Sequence, residues 1–557
     1  MAKRCFRSTL VFSLVAGLSL SSGGSARAQS PSAAASDEAL PAGESSEESA
    51  AGETAGADDL NSLLDMADKN PEGLGKVNVA TPSDPIVEGV SKKEESLSES
   101  PGIVDVITAE DIEQFGAKNL FEVINWATSV YTTGSFLFPR NNVSIRGNLI
   151  KHEDNHVLVL INGRPFRDST LGGVNLSIYT AFPIDTIERV EVIRGPSSVL
   201  YGTNAFTGEI NIVTKNPDRP MWQASVLSGS YGWQSYSLTA GNGNEQQGAL
   251  AGARYSRSKG WPFSATEDVG PPPMTFDTTL WGEDNVGLFS MYRNGGFTAN
   301  IFLARATEET LGPDIQWPSE RLKDPRVFCD LGYLLEVDDW QSFETHFTYN
   351  YDGVEFPGVI STPTNEIPFF APSHGFLLEE TYRRELTDGL DLMIGALADL
   401  HVGEAVMGPF QPIPEYTEIW YGVYMQMEYQ VNEWLKLVGG MQGNMPGEIP
   451  GGIVPRAGVI ASLDENWTAK FLYGQAFRSP YQIERSIVVP PILFGNPDLV
   501  PETIQTFDAQ LAYHTDDFRF ATTYFHSDFF DIITREGFPQ TYVNQGRMKF
   551  DGVEFEN

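Results

Sequence analysis

The chain is nearly without cysteine. Its two cysteines are Cys5 and Cys329, and Cys5 sits in an N-terminal segment that reads as removable. No intrachain disulfide can then form, and no thiolate metal site has enough ligands. Positive charge is also scarce, with 37 Lys and Arg against 74 Asp and Glu, a formal net charge of −37. That balance argues against nucleic acid, whose phosphates need a positive surface. Long apolar runs are missing as well. No stretch reaches the roughly 18 apolar residues of a transmembrane helix, and mean hydropathy is −0.22. A helical membrane protein is excluded, but a β-barrel is not, because its strands alternate and average to neutral hydropathy.

What is present begins with an export signal. Lys3, Arg4 and Arg7 precede the run LVFSLVAGLSL and then Ala26-Arg27-Ala28. A basic start, a short apolar core and an A-x-A end form a secretory signal peptide, residues 1–28. Removing it leaves 33 basic residues (37 less Lys3, Arg4, Arg7 and Arg27) against 74 acidic, a balance of −41. Residues 29–75 are rich in Ala, Ser, Gly and acid and read as a disordered linker, because they cannot bury enough apolar surface to offset chain entropy.

Residues 76–216 read as a small α/β domain. In VDVITAEDIEQFG a strand runs into a helix capped by Thr108, with Glu110 and Asp111 in its first turn and Gly116 at its end. Asn119 caps a second helix, with Glu122 three residues on, and Leu120, Val123, Ile124 and Ala127 fall on one face. HVLVLI is a strand closed by the tight-turn pair Asn162-Gly163. IERVEVI and GEINIVTK add two more strands around a Gly-rich loop. GPSSVLYG is no phosphate loop and no nucleophile elbow, since it lacks both signatures.

Residues 217–557 read as sheet throughout. FDAQLAYH sets Phe507, Ala509, Leu511 and Tyr513 against Asp508, Gln510 and His514; WTAKFLYG sets Trp467, Ala469, Phe471 and Tyr473 against Thr468 and Lys470. This period-two pattern fits a sandwich or a barrel. Loop lengths separate the two. Tight links such as Asp338-Asp339, Asp388-Gly389 and Asn432-Glu433 alternate with long ones, such as Asp352 to Glu379, Val402 to Glu415 and Gln475 to Thr503. Alternation of short and long connections is the pattern of an up-and-down barrel, and Trp340, Trp434, Trp467 and Phe518, each just after a short turn, fit an interfacial girdle. About sixteen strand-like segments follow Pro217.

Several motifs then carry a resemblance. They are SLSESPGIVDVITAEDI, NVSIRG, VLVLINGRP, IERVEVIRGPSSVLYGTNAFTGEINIVTK, FRSPYQIE and GNPDLVPET, in that order. The chain resembles the TonB-dependent outer-membrane receptors, whose fold is a small α/β plug domain followed by an antiparallel transmembrane β-barrel. The family's 22 strands set against about sixteen here, and an end at Phe555-Glu556-Asn557, imply an apparently truncated chain.

The resemblance implies active import of a scarce large solute across the outer membrane of a Gram-negative bacterium. No catalytic residue, metal site or cofactor is implied. The partners are the inner-membrane protein TonB with its energising complex, outer-membrane lipid, and a small-molecule substrate, first a metal chelate. A ferric siderophore ranks ahead of cobalamin. Haem ranks below both, because no His stands between FRSPYQIE and GNPDLVPET. The TonB box is placed at Lys76, Val77, Asn78, Val79, Ala80 and Thr81, a segment able to add to a sheet edge, with Ile86-Val87 as its competitor. Substrate contacts are placed on the plug apices at Phe136, Phe138, Arg140, Arg164, Phe166 and Arg167, since aromatics with Arg suit a flat or anionic ligand. Arg146, Gly147, Glu188, Arg189, Glu191, Arg194, Gly195 and Pro196 form the plug signature, its charges paired within the plug and against the barrel wall or else solvated. Rival readings are a passive porin, a secreted sugar-active β-enzyme and a non-functional truncated receptor.

Overall fold

The computed structural model describes residues 84–135, 137–148, 153–267, 274–280, 282–310, 320–362, 365–515 and 518–556. The signal peptide, the acidic linker, the proposed box at 76–81 and Phe136 lie outside the described residues.

The N-terminal part is built on a five-stranded mixed sheet in the spatial order Ile103–Thr108, Ile187–Arg194, Gly208–Thr214, Val157–Ile161, Arg164–Phe166. Local chemistry explains its elements. Thr108 and Asp111 form a reciprocal capping box at the start of the helix Ala109–Phe115, and Gly116 ends it with φ 65°. The Asn119 side chain accepts from the Glu122 amide at 3.0 Å. Asn162 and Gly163, at φ 49° and 71°, make the tight turn between two paired strands.

Around this unit runs a sixteen-stranded antiparallel sheet, each strand pairing with the next, from Met221–Ser228 to Arg547–Glu556. Its polarity is the inverse of a water-soluble protein. Along Phe410–Asn432, Tyr421, Val423, Met425, Met427 and Tyr429 face outward and are exposed, while Tyr424, Gln426 and Glu428 face inward and are buried. Phe507 and Leu511 likewise face out and Asp508 and Gln510 in; Phe471 faces out and Thr468 and Lys470 in. An apolar outer band with a polar interior is the pattern of a sheet bathed in hydrocarbon. Trp340, Trp434, Trp467 and Phe518 are all exposed beside short turns.

The loops differ from expectation in one respect. The segments Asp352 to Glu379 and Val402 to Glu415 are largely strand, because Gln341–Thr362 pairs with Asn365–Thr387 and Leu390–Met407 with Phe410–Asn432 nearly to their tips. Proline and glycine there mark irregular register, not an end to pairing: shifts fall between Phe356 and Ile360 and between Gly403 and Ala405.

The plug and the wall share apolar core in several places. Phe182 meets Phe302 and Phe289 at ring-centroid distances of 5.2 and 5.3 Å, and Phe166 meets Phe302 at 6.1 Å. A charge at an outward mid-strand position should therefore be costly. Val423→Arg is expected to destabilise the barrel by about 2–4 kcal/mol, read as a lowered midpoint for urea unfolding from lipid vesicles, with Gln430→Arg near the short-turn end nearly neutral.

Candidate functional site

The plug signature is a set of buried ion pairs. The Arg146 guanidinium donates to Glu554 at 3.1 and 3.0 Å and lies 2.9 Å from Asp508. Arg194 reaches Glu554 at 2.9 Å, Glu556 at 2.5 Å and Asp105 at 3.4 Å. The acids at 508, 554 and 556 belong to the wall, so these two arginines fasten plug to barrel. Glu191 works inside the plug, accepting from the Gly89 amide at 2.8 Å, Arg189 at 2.9 Å and Asn211 at 3.1 Å. Arg189 lies 3.6 Å from Glu188, whose side chain is half exposed. Gly147 and Gly195 take φ values of 79° and 111°, which a side chain would strain. Pro196 lies against Gly474 of the wall.

The residues expected at the apices do not share one surface. Arg140 pairs with wall acids Glu283 at 2.7 Å and Glu308 at 2.8 Å. Arg164 turns toward the short-turn end, 2.7 Å from Glu379 and 3.4 Å from Asp330. Phe166 is buried in the apolar core, with Arg326 stacked over its ring at 4.5 Å. These three are fixed by packing and are not open to a ligand. The positions of Arg164 and Phe166 follow from the turn at Asn162-Gly163, which sends them along the sheet before the chain reaches the apex. Arg167 comes closer to the long-loop end, pairing with Asp399 at 2.8 Å. Phe138 is buried against Phe356 at 5.8 Å.

The apex is roofed. The segment after Arg478 folds inward as a short helix, Gln482–Ser486, and its strands Val488–Val489 and Leu493–Phe494 join Gln540–Asn544 and Ile533–Glu536 in a small sheet. Arg478 braces this lid: it donates to Glu484 at 2.8 and 2.9 Å and to Glu502. Glu502 also meets plug His156 at 2.7 Å, whose other ring nitrogen contacts Asn148 at 2.7 Å. His156 thus has a structural bracing role. Tyr481, Arg485, Trp420 and His401 are the residues at this end that composition reasoning passed over. FRSPYQIE was legible as a motif, but nothing local says that its helix turns back over the plug.

The opposite end is closed by Glu88–Gly102. Lys92 pairs with Glu379, Lys93 with Glu428 at 2.7 Å, and wall Lys436 with Glu95 at 2.7 Å. Wall Lys470 donates to the carbonyls of Leu97 and Ser100 at 2.7 and 2.8 Å. Ile86-Val87 is already paired with Glu95-Ser96, and Val87 is fully buried.

Burial also holds protons on plug carboxyls. It pushes Asp154 up to about 7 despite donation from the Tyr179 hydroxyl, and pushes Glu88 up to about 7 with help from the neighbouring Glu191. Glu209, wholly buried, is also pushed well above the usual carboxylate range by its burial.

A barrel whose interior is filled by a charge-fastened plug defines the class. The sequence profile of the TonB-dependent Receptor Plug Domain matches residues 96–208, and that of the TonB dependent receptor-like beta-barrel matches residues 202–557. The chain belongs to the TonB-dependent receptor family. It is similar to the iron-regulated outer membrane virulence protein of Vibrio cholerae serotype O1, 24% identical over 495 residues covering 81% of this chain and 69% of that protein. It is also similar to the vitamin B12 transporter BtuB of the same species, 30% identical over 177 residues, where the match spans 31% of this chain but only 28% of the transporter. Among solved structures, the siderophore receptor PirA from Pseudomonas aeruginosa superposes with a TM-score of 0.60 at 18% identity, over 82% of this chain and 81% of that one. A mutant of the ferric enterobactin receptor PfeA from the same species gives 0.66 at 16% identity, over 85% and 79%. At such identities the likeness concerns the fold.

Two outcomes follow from the buried charges. Arg194→Ala removes a cation shared by Glu554, Glu556 and Asp105, of which Glu554 keeps Arg146 and Glu556 keeps Arg519, and should weaken the seating of the plug by up to about 3–5 kcal/mol, seen as faster amide exchange in Ile103–Thr108 and Ile187–Arg194. Between about pH 4 and 7 the native Asp154 keeps a proton that the unfolded chain has lost, so stability should fall as pH rises through that window. Glu88 shifts in the same direction. Asp154→Asn should therefore flatten, without abolishing, the pH dependence of plug exchange protection after correction for intrinsic exchange rates.

Proposed function

We propose that this protein is a receptor of the Gram-negative outer membrane that imports a scarce solute too large for porins, with energy delivered through TonB. The observation that carries this reading is the plug itself. It is fastened across the sheet interior by buried ion pairs through Arg146, Arg194, Arg140 and Lys92, and roofed by the lid. Breaking paired charges in a desolvated site is strongly unfavourable, so passage calls for work from outside, which a passive porin lacks.

The TonB-contacting strand is assigned to 76–81. Its competitor, Ile86-Val87, is engaged in pairing and so is less free to add to a partner's sheet edge. The plug is assigned to 76–216 and the barrel to 217–557.

The substrate is assigned to the ferric siderophores. Arg167 and the aromatic cluster at the roofed apex support a flat metal chelate. A relative that spans most of the chain is an iron-regulated protein, and the superposed structures are a siderophore receptor and a ferric enterobactin receptor. Cobalamin is the second reading, favoured by the 30% identity to a B12 transporter.

The test is uptake by a strain deleted for the gene and complemented with either the intact chain or one lacking residues 76–81. The intact chain should restore uptake of a radiolabelled ferric siderophore and the shortened one should not. Restoration of labelled cobalamin uptake alone would move the substrate to the second reading. Steady conductance of the intact protein in a planar bilayer would make it a porin and overturn the import reading.

A further inference from the structure

The short-turn end holds a cavity that the fastening of the plug leaves open. Its volume is about 590 Å³, and it lies between Ser91 and Lys93 of the closing segment and the wall around Trp340, Arg384 and Asp391. Its carboxylates outnumber its cations: Glu336, Asp338, Asp339, Glu385, Asp391 and Glu428 stand against Lys93, Arg383 and Arg384. Arg383 is already tied to Glu344 at 2.6 Å and to the Lys92 carbonyl. Glu336, Asp338, Asp339 and Asp391 are exposed, so the acidic edge is open to solvent.

One buried group shows what the cavity would accept. Gln426 lines it and is 2% exposed, and its Oε1 has no hydrogen-bond partner among the described residues. The orientation of the amide is fixed, because its Nε2 donates to Glu428 Oε1 at 2.8 Å and an oxygen turned there would face a carboxylate. A buried acceptor without a donor costs free energy that an incoming N–H would recover. Beside it, Glu428 has Lys93 at 2.7 Å and Lys436 at 3.0 Å. The Lys93 side chain is 34% exposed and that of Lys436 11%, so Lys93 is the cation that an incoming charge can displace.

A polypeptide suits the cavity better than an ion. Among the described residues no three carboxylates, imidazoles or thiols are grouped so as to hold a metal. Acids set apart from one another suit Lys and Arg side chains spaced along a chain. The protein's own N-terminal segment is poor in them, since residues 29–75 hold eleven Asp and Glu and one Lys. Ser91 follows the assigned TonB-contacting strand at 76–81 by ten residues, at most about 35 Å of extended chain. A protein gripping that strand is therefore brought within reach of the cavity.

We propose that this cavity is a second docking site for the energising partner, taking a segment of its periplasmic domain that carries lysine or arginine. A cation of that segment meets Gln426 Oε1 and exchanges with Lys93 at Glu428, so docking loosens the closing segment that the partner is to pull. This rests on the import reading and gives its partner a basic contact face separate from the strand at 76–81.

The experiment is equilibrium binding to the purified full chain in detergent, with the periplasmic domain of TonB from the same organism and an octalysine peptide as the two probes. Neutralising four cavity acids together (Glu336→Gln, Asp339→Asn, Glu385→Gln, Asp391→Asn) should weaken both probes about tenfold at low salt, and much less at high salt. Removing as many acids from other turns at this end (Glu245→Gln, Glu433→Gln, Asp464→Asn, Glu465→Gln) should change neither by more than about twofold. Gln426→Leu, which alters no charge, should weaken both about threefold, and Lys93→Gln, which removes the internal competitor, should tighten both by about as much. The proposal is overturned if the cavity variant binds both probes as the parent does, or if the other turns matter equally. Loss of TonB-domain binding on removal of 76–81, with the cavity variant unaffected, would overturn it and leave the import reading standing. Cavity-dependent octalysine binding with no TonB-domain binding to any chain would overturn the import reading and keep a site for cationic segments.

Discussion

Everything in this structure depends on burying charge with its partner already in place. The plug is a water-type fold enclosed by a sheet whose outer face is apolar, so the interior of the sheet is where its polar groups must be satisfied. Arg146 and Arg194 each contact more than one carboxylate, and those carboxylates come from barrel strands hundreds of residues later in the chain. A guanidinium can do this because its planar fork serves several acceptors at once and stays charged when desolvated. At Lys470 a lysine serves instead, with backbone carbonyls as its partners. Removing one of these arginines would leave more acids than cations in a dry site, a cost that adds to the apolar packing between plug and wall.

Apolar contact between plug and wall is distributed. Phe182 and Phe166 pack on Phe289, Phe302 and Phe328, and Leu158, Val199 and Leu200 cluster with Met393, Tyr424 and Val454 of the wall. Lys92, Lys93 and Glu95 add charged links to the strands around Tyr424 and Lys436. Apolar packing resists separation without regard to direction, while ion pairs and hydrogen bonds break at particular atoms and can be replaced by water. At the roofed end the lid uses the same principle, with Arg478 bridging Glu484 and Glu502 beneath a cluster of rings.

Much of the fold was legible because its rules are local. The capping of Ala109–Phe115 by Thr108 and Gly116, the turn at Asn162-Gly163, and the in-out alternation of Phe507 to Tyr513 and Trp467 to Tyr473 all depend on neighbours within a few residues. The site was legible only in part. Arg164, Phe166 and Arg167 are adjacent in sequence yet end in three environments: a salt bridge near the short-turn end, the apolar core, and the approach to the apex. Alternation puts Arg164 and Phe166 on one face of their strand, and no composition rule says what that face meets from one end to the other. The strand lengths of Gln341–Thr362 and Asn365–Thr387 were underestimated for a related reason: prolines and glycines read as loop when pairing with a long neighbour carries the strand through them.

By itself the sequence determined the division into an α/β unit and a long alternating sheet, and the chemical character of each strand face. Those follow from covalent order and from periodicities of two and 3.6, which need no knowledge of what lies across the interior. Only the tertiary structure decided which acids receive Arg146 and Arg194, that Arg164 faces away from the apex, and that Tyr481 lies on Gly172. Each of these is a contact between residues far apart in the chain. Such pairings are selected by which desolvated groups can satisfy one another once the sheet has wrapped around the plug, a condition on the whole assembly that no short segment carries.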